Sequence, residues 1–575
     1  MRNRRVFGML QRNRSIGNAV FAGVLLLWAV SGASLGVGMA AGGDPGGTIS
    51  GTVKNASGEP VEGALVRVRS EDRRLGFLVV SQARGRYATP PLPPGKYRVE
   101  SFGGAWQSPP GGTVEVRGGE PAKVDPVLSA PRKASTPPQE VTFQQRLKNA
   151  DYLKAMPEGN GKKLILTRCV FCHGVERIVP RRASREEWEK SLDDMIANLK
   201  DHRIPVTDQE KKTLLDYVVE NFGPDKPAFA RPEKGPAPDP DSNLPTALLQ
   251  GPEAKFVSME FYIEKGTWSH HLAVDSKGVA WFSETNAGML GRFDGKTLEY
   301  SRIAPPPGRT PKRFINAVQV DRHDNVWFTD NDPNGLLIQY NPATKEFATY
   351  DIPVPPGLKP NMNTIRFDAD GNVWGTGISS DQIMKLDLAT KRWTQFPVVK
   401  GTHPYGMAIG GDKMIWYAAQ YDNEAVRLDP ATGKLTHYKV PTPRSDVRCM
   451  QADSEGNLWM AGHESGKLLK VDYRTGKITE YELPTKRSGL FSVDVDRKQD
   501  RIWFGETYAG KLGRFDPKSN TFSEFPLPGL SNGEWIAEFS DANVLWIQVD
   551  PTNPNRVWWS GGGMAARVGY VEALE

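Results

Sequence analysis

Seven tryptophans recur along the carboxyl-terminal half of the chain, and this repeat limits the possible folds more than any other feature. Each lies in a similar unit, such as GVAWFSETNAGMLGRFD or GNLWMAGHESGKLLKVD, with short apolar strands and turns rich in acidic residues and glycine. One unit cannot bury both faces of its sheet, whereas a closed ring of units can. The repeat therefore predicts a propeller of seven four-stranded blades, closed by pairing of the earlier strand FVSMEFYIE with the last blade. The repeated residues, 42 to 47 positions apart except for a final interval of 55, are Trp281, Trp327, Trp374, Trp416, Trp459, Trp503 and Trp558.

The repeat also resembles a known family. The pattern G-N-x-W-F-x-E followed by G-x-L-G-R-F-D is similar to that of the streptogramin lyases, the virginiamycin B lyase-like propellers, over residues 250–575. The resemblance implies an enzyme that opens a cyclic depsipeptide ester by elimination, with Mg²⁺ held by acidic and histidine residues at the central funnel. Two blades depart from this pattern, because Ala418-Ala419-Gln420 in the fourth and Ser560-Gly561-Gly562 in the seventh contain no acid.

Side chains that enter a blade, or that follow its tryptophan strand, tend to face the propeller axis. A lyase would use an acid there for metal binding and a histidine for proton transfer. The same residue types also occur as ordinary polar loop residues at a propeller mouth. We expect His323 and His437 to be structural and Cys449 to be packed. The funnel candidates are His270, His271, Glu284, His403, Arg448, His463 and Glu506.

Short alternating strands dominate the region before the propeller. GTISGTVKNASGEPVEGALVRV and YATPPLPPGKYRVE alternate apolar and polar residues between glycine- and proline-containing turns. These segments resemble the carboxypeptidase regulatory-like sandwich, whose members usually serve as spacers or adhesive surfaces. A small β-sandwich without chemistry of its own is expected here.

A compact helical segment is predicted between two proline-containing linkers. Two capping boxes, Ser184 to Glu187 and Thr207 to Glu210, indicate the starts of amphipathic helices. Upstream, TRCVFCHG contains C-x-x-C-H, the spacing at which two thiols add to one porphyrin and the adjacent imidazole reaches the iron. A thioredoxin-like pair would need a βαβ context, and a zinc site would need a fourth ligand.

The motif and its flanking helices resemble the single-haem c-type cytochrome domain over residues 146–225. The resemblance implies one covalently bound haem c. The R…EEW…M pattern is similar to cytochrome domains in which the methionine binds iron, although this methionine also lies on the apolar face of its helix. The expected residues are Cys169 and Cys172 for attachment and His173 and Met195 for iron, with His202, Met156 or an open position as alternatives to Met195.

The amino terminus and the overall composition indicate where the protein works. Residues 1–41 run from basic to apolar to small side chains, which predicts an export signal or, given the length of the apolar run, an N-terminal membrane anchor. The body of the protein is therefore expected outside the cytoplasm, in the periplasm. A net charge of +6 spread along the chain argues against a nucleic-acid surface, and three cysteines argue against a disulfide scaffold.

The expected fold class is mainly β and multidomain, combining a small β-sandwich, an all-α c-type cytochrome domain and a seven-bladed β-propeller. The expected division is 1–41 signal or anchor, 46–130 sandwich, 131–145 linker, 146–225 cytochrome domain, 226–249 proline-rich linker and 250–575 propeller.

Three functions are compatible with these features. The leading hypothesis is an exported c-type cytochrome that transfers single electrons, while the propeller binds a small molecule or a redox partner protein (a cytochrome, dehydrogenase or oxidase). The first alternative is a Mg²⁺-dependent streptogramin-type carbon–oxygen lyase with an accessory haem domain. The second is a non-catalytic scaffold that anchors a cytochrome in a dehydrogenase complex. The sequence leaves open whether the protein is an enzyme.

Overall fold

A computed structural model describes most of the chain beyond the amino-terminal segment. The described ranges are 46–119, 121–132, 155–168, 175, 178–201, 206–227, 244–264, 267–331, 333–486, 488–507, 509–528, 544–561 and 567–574. The expected export signal and the residues Cys169, Cys172, His173 and His202 lie outside these ranges. In the part of the chain so described, no helix has the length and apolar character needed to cross a membrane.

The first described region is a small β-sandwich, as its alternating segments predict. Val66 and Val68 face one side of their strand and belong to the sandwich core, together with Phe77 and Val79 of the neighbouring strand. In the turn NASGEP, the side chain of Asn55 accepts hydrogen bonds from two backbone N–H groups and holds the loop closed. The strands are β1 Ile49–Thr52, β2 Lys54–Asn55, β3 Leu65–Ser70, β4 Leu75–Val80, β5 Arg86–Ala88, β6 Gly95–Gly103, β7 Trp106–Gln107, β8 Thr113–Val116, β9 Ala122–Lys123, β10 Val127–Leu128 and β11 Ala130–Pro131.

Three α-helices follow in the described ranges: α1 Asn160–Arg168, α2 Arg185–Asp201 and α3 Asp208–Phe222. Both expected capping boxes are present, because Ser184 and Glu187 exchange hydrogen bonds at the start of α2, as do Thr207 and Glu210 at the start of α3. The helices pack around the buried indole of Trp188. These contacts show a small helical core, but they do not show the all-α cytochrome domain that was expected here.

The propeller is built from seven four-stranded antiparallel sheets. The first six are consecutive along the chain, and the seventh combines three late strands with one early strand. The strands of blades one to three are β13 Leu272–Val274, β14 Val279–Glu284, β15 Met289–Asp294, β16 Glu299–Ile303; β17 Ile315–Val320, β18 Val326–Asp330, β19 Leu336–Tyr340, β20 Phe347–Asp351; and β21 Ile365–Phe367, β22 Val373–Gly377, β23 Gln382–Asp387, β24 Arg392–Pro397.

The remaining blades repeat this order from the axis outwards. Their strands are β25 Pro404–Ile409, β26 Ile415–Ala419, β27 Glu424–Leu428, β28 Leu435–Lys439; β29 Val447–Ala452, β30 Leu458–Gly462, β31 Lys467–Val471, β32 Ile478–Glu482; β33 Leu490–Asp496, β34 Arg501–Glu506, β35 Lys511–Asp516, β36 Thr521–Pro526; and β37 Val544–Asp550, β38 Asn553–Gly561, β39 Arg567–Ala573, with β12 Phe256–Tyr262 outermost in blade seven.

Each repeated tryptophan lies on the second strand of its blade and is almost fully buried. In six blades its indole N–H donates to an aspartate in the turn that precedes the strand; Asp453, for example, accepts from Trp459 at 3.0 Å and also accepts from two backbone N–H groups of the turn. The tryptophan therefore fills the space between blades and also ties the turn to the sheet. This contact explains why an acidic turn precedes the tryptophan strand in these six blades.

The ring closes as the sequence predicts. Strand β12 pairs with β39 over seven residues, from Phe256 opposite Ala573 to Tyr262 opposite Arg567. Within this pairing, Glu260 and Arg567 form a fully buried ion pair with a separation of 3.0 Å. An early strand that completes the last sheet holds the two ends of the ring together.

The sandwich is joined directly to the closing blade. Strand β4 pairs with the outer edge of β12 from Leu75 opposite Phe261 to Val79 opposite Val257, so that one sheet runs from the sandwich into blade seven. This pairing covers a strand edge that would otherwise present unpaired backbone groups. Side chains of both modules also share hydrophobic cores.

Candidate functional site

The register of the blades identifies the residues that line the central channel. In each of the first six blades, the residue after the repeated tryptophan pairs with one residue of the first strand. The residue two positions before that partner in the chain occupies an equivalent position in all six blades. Contacts between blades confirm that these side chains converge, because His270 of blade one lies 5.9 Å from the ring of Phe491 of blade six. The equivalent residues are His270, Asn316, Asn363, Tyr405, Arg448 and Phe491.

Five polar side chains of blades four and five form what we call the funnel cluster: His403, Gln420, Asp446, Arg448 and His463. First strands begin and second strands end at the same edge of an antiparallel blade, so these residues meet at one end of the channel. The guanidinium of Arg448 donates to Asp446 Oδ2 from Nε at 2.9 Å and from Nη2 at 2.8 Å. Gln420 bridges the two blades, since its amide nitrogen donates to Asp446 and its oxygen lies 2.6 Å from His403 Nδ1.

Aromatic rings hold Arg448 in place. Its guanidinium lies 4.7 Å from the centroid of Phe491 and 5.4 Å from that of Tyr405. The imidazole of His463 contacts the same Phe491 ring at 5.5 Å. A guanidinium fixed between two rings and a carboxylate loses little freedom when it binds a further group.

Burial and charge set the protonation states of the cluster. Burial lowers the pKa of His463 to about 3, and the positive charge of Arg448 acts in the same direction. Burial alone would raise the pKa of Asp446, but Arg448, His463 and the hydrogen bond from Gln420 bring it below its ordinary value. At neutral pH the cluster therefore combines a neutral imidazole with a carboxylate and a guanidinium.

The backbone at this end of the channel is constrained. His403 and Asp446 directly precede the first strands of blades four and five, and both have positive φ values, 55° and 52°. Blade six has Gly489 at the same place, with φ of 71°. Non-glycine residues adopt this conformation at a cost, and such residues concentrate at functional sites.

Two adjacent histidines of blade one, His270 and His271, also lie near Phe491. His270 Nδ1 and His271 Nδ1 are 2.8 Å apart, and the backbone N–H groups of both residues donate to Ser283 Oγ at 3.1 Å. The His271 ring packs 3.9 Å from that of Trp546 and is 1% exposed. Burial lowers the pKa of His270 to about 4, and the pKa of His271 also lies well below its ordinary value.

The two glutamates predicted at the funnel lie elsewhere. Glu284 is fully buried and accepts hydrogen bonds from Tyr300 and Arg302 on the outermost strand of its blade. Glu506, at the equivalent position of blade six, lies opposite Lys511 of the neighbouring strand β35 and is also fully buried. The side chain that reaches the funnel lies one residue further along the chain, as Gln420 and His463 do.

Several site residues were not expected from the sequence. Asp446 and Glu464 lie close to His463, and one ligand atom from each of the three residues falls within 4.8 Å of the others. Aligning the blades would have indicated Asp446, because it is equivalent in blade five to His403 in blade four. The same alignment would have indicated Tyr405 and Phe491, which are equivalent to Arg448. Cys449 is 2% exposed, and burial raises the pKa of its thiol to about 12, as expected for a packed residue.

Comparison with known families identifies two parts of the chain. Residues 309–554 match the Virginiamycin B lyase family, and residues 48–129 match the carboxypeptidase regulatory-like domain. The search of curated proteins found no match. The lyase match runs from blade two into blade seven and includes every residue of the funnel cluster.

Three solved structures of lyases are among those similar to this chain. A virginiamycin B lyase from Staphylococcus aureus is 20% identical, with a TM-score of 0.47, and the match covers 55% of this chain and 99% of the lyase. A streptogramin B lyase is 22% identical, with a TM-score of 0.48, and the match covers 56% and 99%. A catalytically inactive virginiamycin B lyase from S. aureus with quinupristin is 20% identical, with a TM-score of 0.47 and coverage of 55% and 99%.

The two family matches overturn the leading hypothesis from the sequence. The expected single-electron carrier with covalent haem c and iron is wrong, because the matched families are a lyase and a regulatory-like sandwich, and a c-type cytochrome domain is not among them. Met195, the expected sixth ligand, packs as a partly buried side chain against the core of the three helices. The lyase alternative agrees better with the findings. The chain therefore carries a carboxypeptidase regulatory-like domain joined to a virginiamycin B lyase-like β-propeller.

Proposed function

We propose that the propeller is a carbon–oxygen lyase that opens esters by elimination, with the funnel cluster as its active site. The observation that carries the proposal is the neutral, buried imidazole of His463 beside a carboxylate and a fixed guanidinium. The family match over residues 309–554 supports the same chemistry. Predicted export stays a prediction, as do the proposed partner proteins.

In this reaction a base removes a proton from the carbon next to a carbonyl group. The electron pair of that C–H bond forms a carbon–carbon double bond, and the neighbouring C–O bond breaks to release a carboxylate. His463 is the base, because burial keeps its imidazole unprotonated and able to accept a proton. A pKa near 3 makes a free imidazole a weak base. The transfer therefore depends on the carboxylate of Asp446, which stabilises the imidazolium as it forms.

Arg448 stabilises the negative charge that develops on the substrate carbonyl oxygen. Its guanidinium is held by Asp446, Phe491 and Tyr405 before substrate binds, so little reorganisation is needed during the reaction. Gln420 and His403 help to hold Asp446 in place, because the Gln420 amide donates to Asp446 and contacts His403 on the blade-four side of the funnel.

The donor atoms near His463 fit a divalent cation. Asp446 and Glu464 offer carboxylate oxygens within 4.8 Å of each other and of an imidazole nitrogen of His463. Magnesium prefers oxygen ligands, so the two carboxylates would hold it and leave the imidazole for proton transfer. When bound, such an ion would act as a Lewis acid towards a carbonyl oxygen.

The proposal is tested with purified protein and quinupristin, the compound bound in the inactive S. aureus lyase. Mass spectrometry should show a ring-opened product of unchanged mass, since elimination adds no water, and the reaction is run with and without added Mg²⁺. We expect His463→Ala to lower kcat on the order of 10²- to 10⁴-fold.

The control is His323→Ala, which removes an exposed turn histidine in blade two and should leave the rate unchanged. A product that has gained one water would contradict elimination. Full activity of His463→Ala would remove His463 from the mechanism.

A further inference from the structure

The pair formed by His270 and His271 is not used in the mechanism above. Two Nδ1 atoms at 2.8 Å share one hydrogen, so one ring donates and the other accepts. The backbone on both sides is fixed, because Ser283 accepts from both N–H groups and Ser560 donates to the carbonyl oxygen of His270 at 2.9 Å. The pair is therefore held in one arrangement by strands of blades one and seven.

The surroundings of His271 decide which ring donates. Its Nε2 is buried and makes no hydrogen bond to any residue that the structure describes. A buried N–H without an acceptor is rarer and more costly than a buried acceptor without a donor. Burial, with the charges of His270 and Arg366, lowers the pKa of His271, so its ring is neutral and has one N–H to place. Nε2 of His271 therefore carries the lone pair, and the shared hydrogen lies on its Nδ1.

This arrangement determines the tautomer of His270. Because His270 Nδ1 accepts the shared hydrogen, the hydrogen of its neutral ring lies on Nε2. The ring of His270 contacts Phe491, which also packs against Arg448 and His463. His270 is partly exposed, whereas His271 is not, so Nε2 is the nitrogen that His270 can offer to a ligand.

We infer that His270 is a second oxyanion donor of the proposed lyase and that His271 is the positioning residue that holds it in the Nε2–H tautomer. The neutral imidazole donates to the substrate oxygen that gains charge during elimination, and both this ring and that of the base contact Phe491. This inference rests on the proposed function. Neutral imidazoles are effective donors in this role because they add no charge that substrate binding must first desolvate.

Two substitutions of His271 separate positioning from packing. His271→Phe retains an aromatic ring against Trp546 but removes the hydrogen donor, whereas His271→Asn retains an amide donor near the position of Nδ1. We expect His271→Phe to lower kcat for quinupristin opening on the order of 10²-fold with little change in KM, and His271→Asn to recover most of the rate.

The tautomer itself is measured by nitrogen NMR of histidine-labelled full-length protein, with signals assigned by their loss in His270→Gln and His271→Asn. We expect a protonated Nε2 on His270 and a scalar coupling between the two Nδ1 atoms across their hydrogen bond. An unprotonated Nε2 on His270 would overturn the inference. Donation of the His271 hydrogen to the amide oxygen of Asn316 would also overturn it, since Asn316 lies close enough to raise the pKa of His271 although Nε2 has no hydrogen-bond partner among the described residues. Unchanged kcat in His271→Phe would overturn it as well. If wild-type protein opens no depsipeptide, the proposed function fails, while the spectrum still decides the tautomer.

Discussion

At the scale of single residues, Glu506 is a fully buried carboxyl group. Burial raises its pKa from 4.5 to about 8, and the negative charge of Glu524 adds to this shift, while Lys511 and a hydrogen bond from the hydroxyl of Ser488 partly oppose it. In the unfolded chain the group ionises near pH 4.5, but in the folded protein it stays protonated up to about pH 8. Its cost to folding is absent below pH 4.5, grows as the pH rises to 8 and is constant above that.

Glu506→Gln should therefore stabilise the protein at pH 8, on the order of 2–4 kcal/mol in the free energy of unfolding, and have little effect at pH 4. Urea denaturation across this pH range measures the difference. The matched control is Glu284→Gln at the equivalent position of blade one, where Arg302 and Tyr300 pair with the carboxylate. That change should cost about 1–3 kcal/mol because it removes the charged acceptor of Arg302 and Tyr300, although Arg302 keeps its contact with Glu264. Equal changes in the free energy of unfolding for the two variants at pH 8 would contradict the raised pKa of Glu506.

At the scale of secondary-structure elements, the contact between indole and turn aspartate holds each blade. Blade six is the exception, because Trp503 Nε1 is buried and finds no acceptor within the described ranges. Blade five has the complete contact between Trp459 and Asp453. Both tryptophans are almost fully buried, so replacing either with phenylalanine creates a similar loss of packing.

Trp459→Phe should therefore destabilise the protein more than Trp503→Phe, by about 0.5–1.5 kcal/mol, because only the first change removes a hydrogen bond to a buried aspartate. The measurement is the difference in denaturation midpoint between the two variants under identical conditions. A larger cost for Trp503→Phe would show that packing alone, without the hydrogen bond, determines the role of the tryptophans.

At the scale of the whole molecule, the sandwich and the propeller share one sheet and one core. Gly76 lies where β4 passes β12, and a Cβ added there would approach Glu260 Oε1 to 2.9 Å, beside the buried pair with Arg567. We expect Gly76→Ala to lower the stability of both modules together, by about 1–3 kcal/mol, in a single calorimetric transition.

The matched control for that change is Gly112→Ala in the same sandwich, where an added Cβ meets nothing within 4 Å. This variant should unfold at the wild-type temperature. Two separate transitions in the wild-type protein, with only the first affected by Gly76→Ala, would show that the sandwich is an independent domain rather than part of the closure.

The sequence also led to one wrong conclusion about function. Both capping boxes of the helical segment were predicted and are present, since a cap depends on residues three positions apart. The electron-transfer interpretation came from a five-residue spacing and is overturned by the family matches. A short motif indicates only which side chains are adjacent in the chain. Function depends on the site that forms when the complete chain folds.

The sequence by itself determined the seven blades and their closure by β12, because both depend on period-two alternation and a regular repeat. It also indicated His403, Arg448 and His463 for the funnel. Only the tertiary structure decided that Glu284 and Glu506 point to the outer strands, and that Asp446 binds Arg448. It alone showed β4 continuing the sheet of blade seven. Some of these contacts join residues that are far apart in the chain. Others depend on which of two consecutive residues at a strand end faces the funnel. Local periodicity predicts neither.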